Sequence, residues 1–128
     1  MAITHASATT REALAQVVLD AIDGDAAAGT LELQTSGDSE VATLTLSYPC
    51  GTLGGTSNAT LTFSSVSDDT NATGGTVAKF VIKDNSGDAI LTGSVTVTGG
   101  GGDIELSSVA IGAGDTVSVS SLAYTSAT

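Results

Sequence analysis

Thr30-Leu-Glu-Leu-Gln-Thr35 is the stretch whose reading settles the class of fold. Leu31 and Leu33 fall on one side of an extended chain, with Glu32 and Gln34 on the other. A period of two is the pattern of a strand with one buried face. Immediately upstream the period is 3.6. Leu14, Val17, Val18, Ala21 and Ile22 form an apolar stripe along a helix. Thr9-Thr10-Arg11-Glu12 has capping-box spacing, with Thr9 as N-cap and Glu12 reaching back to it. A helix is therefore expected over residues 10–22, closed by Gly24 and followed by a linker to Gly29. A helix this short is marginal by itself. Its stripe must dock, either on its own sheet, the commoner arrangement, or on a neighbouring subunit.

Downstream of residue 30 the period stays at two. In Val41-Ala-Thr-Leu-Thr-Leu-Ser-Tyr48, Leu44, Leu46 and Tyr48 face together, and Pro49 ends the strand or places it at an edge. Residues 59–64 turn Leu61 and Phe63 inward. Val77-Ala-Lys-Phe-Val-Ile-Lys83 is the most apolar run and is predicted to be a central strand. Asp84-Asn-Ser-Gly-Asp88 follows as a turn, and residues 89–97 complete a hairpin. Gly99 to Gly102 reads as a flexible break. Ile104 and Leu106, then Val109 and Ile111, are short apolar pairs, and Gly114-Asp115 turns into a last strand over residues 117–125. Its inward phase slips between Val119 and Leu122, which predicts a bulge near Ser120-Ser121. The likeness of Ala42-Thr-Leu-Thr-Leu-Ser47 to Ala59-Thr-Leu-Thr-Phe-Ser64 marks two similarly facing strands in a chain rich in Ala and Thr, not a repeat array. One helix and seven or eight strands predict a mainly β fold, an antiparallel sandwich or jelly roll. Residues 1–29 form its arm and helix, and residues 30–128 the sandwich itself.

Composition agrees with a thin core. Ala, Gly, Ser and Thr fill 70 of 128 positions, whereas Leu, Val and Ile supply 28 and the aromatics only Phe63, Phe80, Tyr48 and Tyr124. Outward strand positions are mostly Thr and Ser, and protective Lys at the edges is nearly absent, so edges covered in an assembly are expected.

Charge excludes several partners. Fourteen acidic residues face only Arg11, Lys79 and Lys83, for a net charge of −11. Such a surface repels phosphate, which argues against nucleic acid and against anionic membranes. No apolar run approaches the roughly 18 residues of a membrane-spanning helix. The first twelve residues lack the features of a signal peptide, so synthesis in the cytosol is expected.

Catalysis is expected to be absent for want of side chains. His5 and Cys50 are the sole histidine and cysteine, and each is isolated from further ligands or a catalytic partner. No catalytic residue, metal or cofactor is therefore expected. Asp20, Asp23 and Asp25 surround Gly24, but the order of an EF-hand loop is not met, and a solvated turn is expected there. Asp68-Asp69 with Asn71 is read in the same way. Asn58-Ala-Thr60 and Asn71-Ala-Thr73 match the glycosylation acceptor but are expected to stay unmodified without a secretion signal. Gly99-Gly-Gly-Gly102 lacks the lysine and helix of a phosphate cradle, so a hinge or long β-connection is expected. Cys50 is read as a small apolar filler or an unpaired thiol beside Pro49.

The order of several segments resembles a family of small structural proteins of tailed-bacteriophage virions. These are Ala8-Thr-Thr-Arg-Glu-Ala-Leu-Ala15, Gly29-Thr-Leu-Glu-Leu33, Asp84-Asn-Ser-Gly-Asp-Ala-Ile-Leu-Thr-Gly-Ser-Val95, Gly102-Asp-Ile-Glu-Leu106 and Ile111-Gly-Ala-Gly-Asp-Thr-Val117. The resemblance implies a head or tail accessory protein, made in the host cytoplasm and carried in the virion, with no catalytic residues. Its first implication is a capsid decoration, or cement, protein that binds the major capsid protein as a homo-oligomer, a trimer. The alternative is a tail or tail-fibre module, but four aromatics offer a glycan little to stack on. Leu14, Val17, Val18, Ala21 and Ile22 are then the candidate subunit or capsid contacts.

Overall fold

The computed structural model describes residues 7–55 and 59–126. One helix, α1 (Ala8–Ile22), precedes ten strands among them: β1 (Thr30–Gln34), β2 (Glu40–Thr45), β3 (Gly51–Gly54), β4 (Thr60–Phe63), β5 (Gly75–Thr76), β6 (Lys79–Lys83), β7 (Ala89–Val97), β8 (Ile104–Leu106), β9 (Ala110–Ile111) and β10 (Ala123–Thr125). They pair into a five-stranded sheet in the order β2-β1-β6-β7-β8, a three-stranded sheet β10-β4-β3 and the two-stranded β5-β9. The fold is mainly β and sandwich-like with one amino-terminal helix, as the change of period after Gly29 predicts. It has more and shorter strands than the seven or eight expected.

The core joins both larger sheets to the helix. Leu31, Leu33 and Ile82 from the large sheet meet Leu61 and Phe63 from the small one, with Ile22 of α1 in the same cluster. β6 is central, and Phe80, Val81 and Ile82 are buried in succession. A continuous apolar run is what a strand covered on both faces requires. Gly29 is needed for close approach rather than for its dihedral freedom. A Cβ there would lie 2.3 Å from the Lys83 carbonyl oxygen and 3.3 Å from Ile22 Cγ2, so a side chain would wedge helix, β1 and β6 apart.

Several local expectations are corrected. The helix begins at Ala8, with Ser7 as its N-cap: the Ser7 hydroxyl accepts from Thr10 N at 3.4 Å, and the Ser7 carbonyl accepts from Arg11 N at 3.2 Å. Ser caps at least as well as Thr, so the earlier residue wins and the Thr9–Glu12 box goes unused. Tyr48 does not share the inward face of Leu44 and Leu46. β2 stops at Thr45, the chain leaves the strand before Pro49, and Tyr48 is 53 % exposed.

The larger departures lie after Val97. β8 pairs with β7 in parallel, matching Val95 to Ile104 and Val97 to Leu106. So short a connection is unusual between parallel strands, which ordinarily need a crossover of about a dozen residues. The glycine run makes it possible. Gly100 N donates to the Val97 carbonyl at 2.9 Å and Gly102 N to Thr96 Oγ1 at 3.0 Å. A Cβ at Gly100 or Gly102 would come within 2.7 or 2.9 Å of the Thr96 side chain. Asp103 then anchors the return, its carboxylate accepting from Ser94 N at 3.0 Å. Gly99 to Gly102 is thus a bonded crossover, not a loose break. The expected last strand over residues 117–125 is also cut short: Val117 makes one bridge to Asp69, and only Ala123–Thr125 is regular strand. The phase slip at Ser120-Ser121 lies within an unpaired stretch, Ser118 to Ser121, instead of forming a bulge within a strand.

Candidate interface

The helix stripe is divided between core and surface. Ile22 is fully buried in the protein's own core, and Leu14, Val18 and Ala21 are half-buried. Val17 is 64 % exposed. The face that docks is centred instead on Ala15 and Ile22, with Val18 and Leu19 packed against the core. Ala15, being small, lets the helix lie close to what it covers. Of the candidate contacts, Val17 alone presents most of its side chain to a partner, and Ile22 presents none.

The acidic residues at the helix end form a clasp, where a solvated turn was expected. Both carboxylate oxygens of Asp23 accept from Cys50 N, at 3.1 and 3.2 Å. Asp25 accepts from Ser86 N at 2.9 Å and from the Ser86 hydroxyl at 2.7 Å. Two sequence-distant loops are thereby tied to the end of α1. Asp69 works in the same way at the other side of the large sheet, accepting from Thr43 N at 2.8 Å and Asn71 N at 2.9 Å. With Ser67 N donating to the Thr45 carbonyl at 2.8 Å and Gly74 N to that of Val41 at 3.1 Å, it covers the outer edge of β2. This edge is protected by a loop rather than by lysine.

Cys50 is fully buried and unpaired. Burial, reinforced by the Asp23 carboxylate, pushes its thiol up to about 12, so it is an inert filler. The two lysines are both paired, Lys79 with Asp38 and Lys83 with Glu32, the latter at 2.7 Å. Burial raises the Glu32 carboxyl, but hydrogen bonds from Lys83 and Gln34 and the lysine charge outweigh it and hold it below its ordinary value. Among the described residues no group of three or more His, Cys, Asp or Glu could hold a metal ion, and no helix is long and apolar enough to cross a membrane. His5 and Asn58 lie outside the described residues. Phe63 and Phe80 are buried and Tyr124 packs against the core, which leaves Tyr48 as the exposed aromatic.

A large concavity lies among the described residues at the far edge of the big sheet. A groove of about 580 Å³ separates β8 from the irregular segment Thr116 to Ala123. It shares Asp103, Ile104, Leu122 and Ala123 with an adjoining space of about 340 Å³ between the sheets. No motif in the sequence announced it. The signals were the slipped phase of Val117-Ser-Val-Ser-Ser-Leu122 and the four-glycine run, which only the fold brings together. No family model matches this chain, and no curated protein or solved structure matches it either.

Proposed function

We propose that this chain is a virion structural protein, a capsid decoration protein that binds the major capsid protein and stabilises a phage head. The observation that carries the reading is how the carboxylates are deployed. Asp23, Asp25, Asp69 and Asp103 each accept a backbone N–H from a distant or returning segment. They hold a scaffold together and do not converge on a reacting centre. The resemblance to small virion proteins supports the same reading, as does the shortage of exposed aromatics for a glycan-binding tail module.

A decoration protein acts by mass action: whatever binds the assembled lattice and not its dissociated subunits raises the stability of the lattice. A closed trimer suits a symmetry axis, where one copy of the oligomer touches several capsid subunits. The charge of −11 opposes close self-approach at low salt and favours a receiving surface that is less acidic.

Heads stripped of the protein are expected to release their DNA at a lower temperature than complete heads, and re-addition should restore the difference. Removing the helix would uncover the core around Ile22, so Val17→Asp is the cleaner probe of the helix surface. It should fold normally and bind stripped heads more weakly. Equal heat stability of stripped and complete heads would overturn the cement role and put the tail or tail-fibre module in its place.

A further inference from the structure

The groove beside β8 has the character of a site for a missing strand. Its first wall is an edge strand, with one side of its backbone left without a ladder partner. Its second wall reads as a strand in sequence: Val117 is buried and Val119 half-buried, while Ser118 and Ser120 are exposed. Yet Ser118 to Ser121 make no backbone hydrogen bond to any described residue, although Val117 is bonded to Asp69 and Leu122 to Phe63. A segment with strand alternation, pinned at both ends and unpaired between, is a template awaiting a partner.

The chemistry of the walls specifies that partner. Beneath the groove, Phe63, Phe80, Leu91, Ile104 and Leu122 line the space between the sheets, which can receive an apolar side chain. At the rim stand the exposed residues Asp103 and Glu105. Each has one carboxylate oxygen bonded, to Ser94 and to Gly101 N respectively, and the other without a hydrogen bond to a described residue. No basic residue lines the groove. Within this chain both lysines are already paired elsewhere. A second copy, itself at −11, is a poor match for that rim.

We infer that the groove accepts an extended, Lys- or Arg-bearing segment of a different protein, added as a strand between β8 and residues 116–123. Its alternate side chains fill the apolar space and meet Asp103 and Glu105. Backbone hydrogen bonds to the two walls supply affinity, and the alternation of apolar and basic side chains supplies selectivity. The inference deepens the decoration reading, resting on it only in that the partner is a protein. Peptide binding is read on the isolated chain and heat stability on particles, so either can fail without the other.

The test uses the full chain, isotope-labelled, with a capped heptapeptide of sequence TVKVKVT as probe and TVEVEVT as its acidic counterpart. In the isolated chain the amides of Ser118 to Ser121 should exchange rapidly with solvent. Adding TVKVKVT should shift and protect them together with Ile104 to Leu106, and TVEVEVT should bind at least about tenfold more weakly, a difference of about 1.4 kcal/mol. N-methylation of alternate peptide residues should abolish binding, because it removes donors without changing charge. Glu105→Gln should fold normally and weaken TVKVKVT roughly threefold, the scale of one exposed ion pair. Protection of Ser118 to Ser121 without peptide would overturn the inference, as would equal binding of the two peptides. So would self-association of the chain that produces the same shifts.

Discussion

The two long edges of the five-stranded sheet are finished differently. At the β2 edge, the loop carrying Ser67, Asp69 and Gly74 bonds in turn to Thr45, Thr43 and Val41, so the outward groups of the strand are covered. At the β8 edge, the chain passes by at a distance and leaves a groove of about 580 Å³. The two covering segments differ in composition: residues 67–74 carry Asp68 and Asp69 among Ser, Thr and Asn, whereas residues 116–123 carry Ser and Thr with Val117, Val119 and Leu122 and no carboxylate. The difference lies in the anchors. One carboxylate placed opposite a strand N–H, as Asp69 is to Thr43 N, draws a loop onto an edge. Between residues 118 and 121 the polar side chains are the hydroxyls of Ser118, Ser120 and Ser121, and none makes a hydrogen bond to a described residue. Closing an edge takes a charge-assisted bond at the right register, not polarity in general.

The closed side should therefore be intolerant of change and the open side forgiving. Leu44→Ala, fully buried in β2 at the closed edge, should cost about 2–5 kcal/mol in denaturant unfolding. Leu122→Ala, half-buried at the mouth of the groove, should cost about 1 kcal/mol, because only part of that side chain leaves water on folding. Equal losses would break the comparison and mean that the groove is filled in solution.

Asp23 sharpens it at an intermediate scale. Asp23→Ala removes two acceptor contacts from Cys50 N and should destabilise the chain by about 1.5–3 kcal/mol, the range for hydrogen bonds to a charged group. The Cys50 thiol also loses a neighbouring negative charge. Its labelling by a thiol reagent at mildly alkaline pH should be slow in the unaltered chain and faster in the variant. Unchanged labelling would mean that burial alone shields the sulfur.

The smallest effect belongs to the ion pair on the neighbouring strands β1 and β6. Glu32 titrates below its ordinary value of 4.5 in the folded chain, so its contribution to stability is present above that pH and is lost as the pH falls through the folded value. Lys83→Met should remove that part of the acid dependence and cost about 0.5–1 kcal/mol near neutrality, since the pair is only partly shielded. An acid profile unchanged by the variant would assign the dependence to other carboxylates.

How much of this was legible in the residues depends on the range over which each feature is decided. The hairpin of β6 and β7 could be read because its turn, Asp84 to Asp88, is local: Asp84 N bonds the Asp88 carbonyl and Gly87 N that of Asp84. The centrality of β6 could be read because three consecutive apolar side chains have no other economical place. The N-cap was misassigned because the Thr9–Glu12 spacing fits a capping box, whereas Ser7 caps the helix with no such box to mark it. The role of Asp23 was missed because its partner, Cys50, lies 27 residues away and donates a backbone N–H that any residue but proline could supply.

By itself, then, the sequence determined the helix and most of the strands, though not β3, β5 or the short extent of β10, together with the position of most turns, most of the apolar core and the acidic charge. All of these follow from neighbours within a few residues or from simple composition. Only the tertiary structure decided which helix face is covered, the parallel return of β8, the clasp at Asp23 and Asp25, and the open edge beside residues 116–123. Each of these depends on the distance between groups far apart in the chain, and alternation or propensity carries no information about that distance. The groove is the sharpest case, since it exists because two strand-like segments that could pair are held apart by the anchors at their ends.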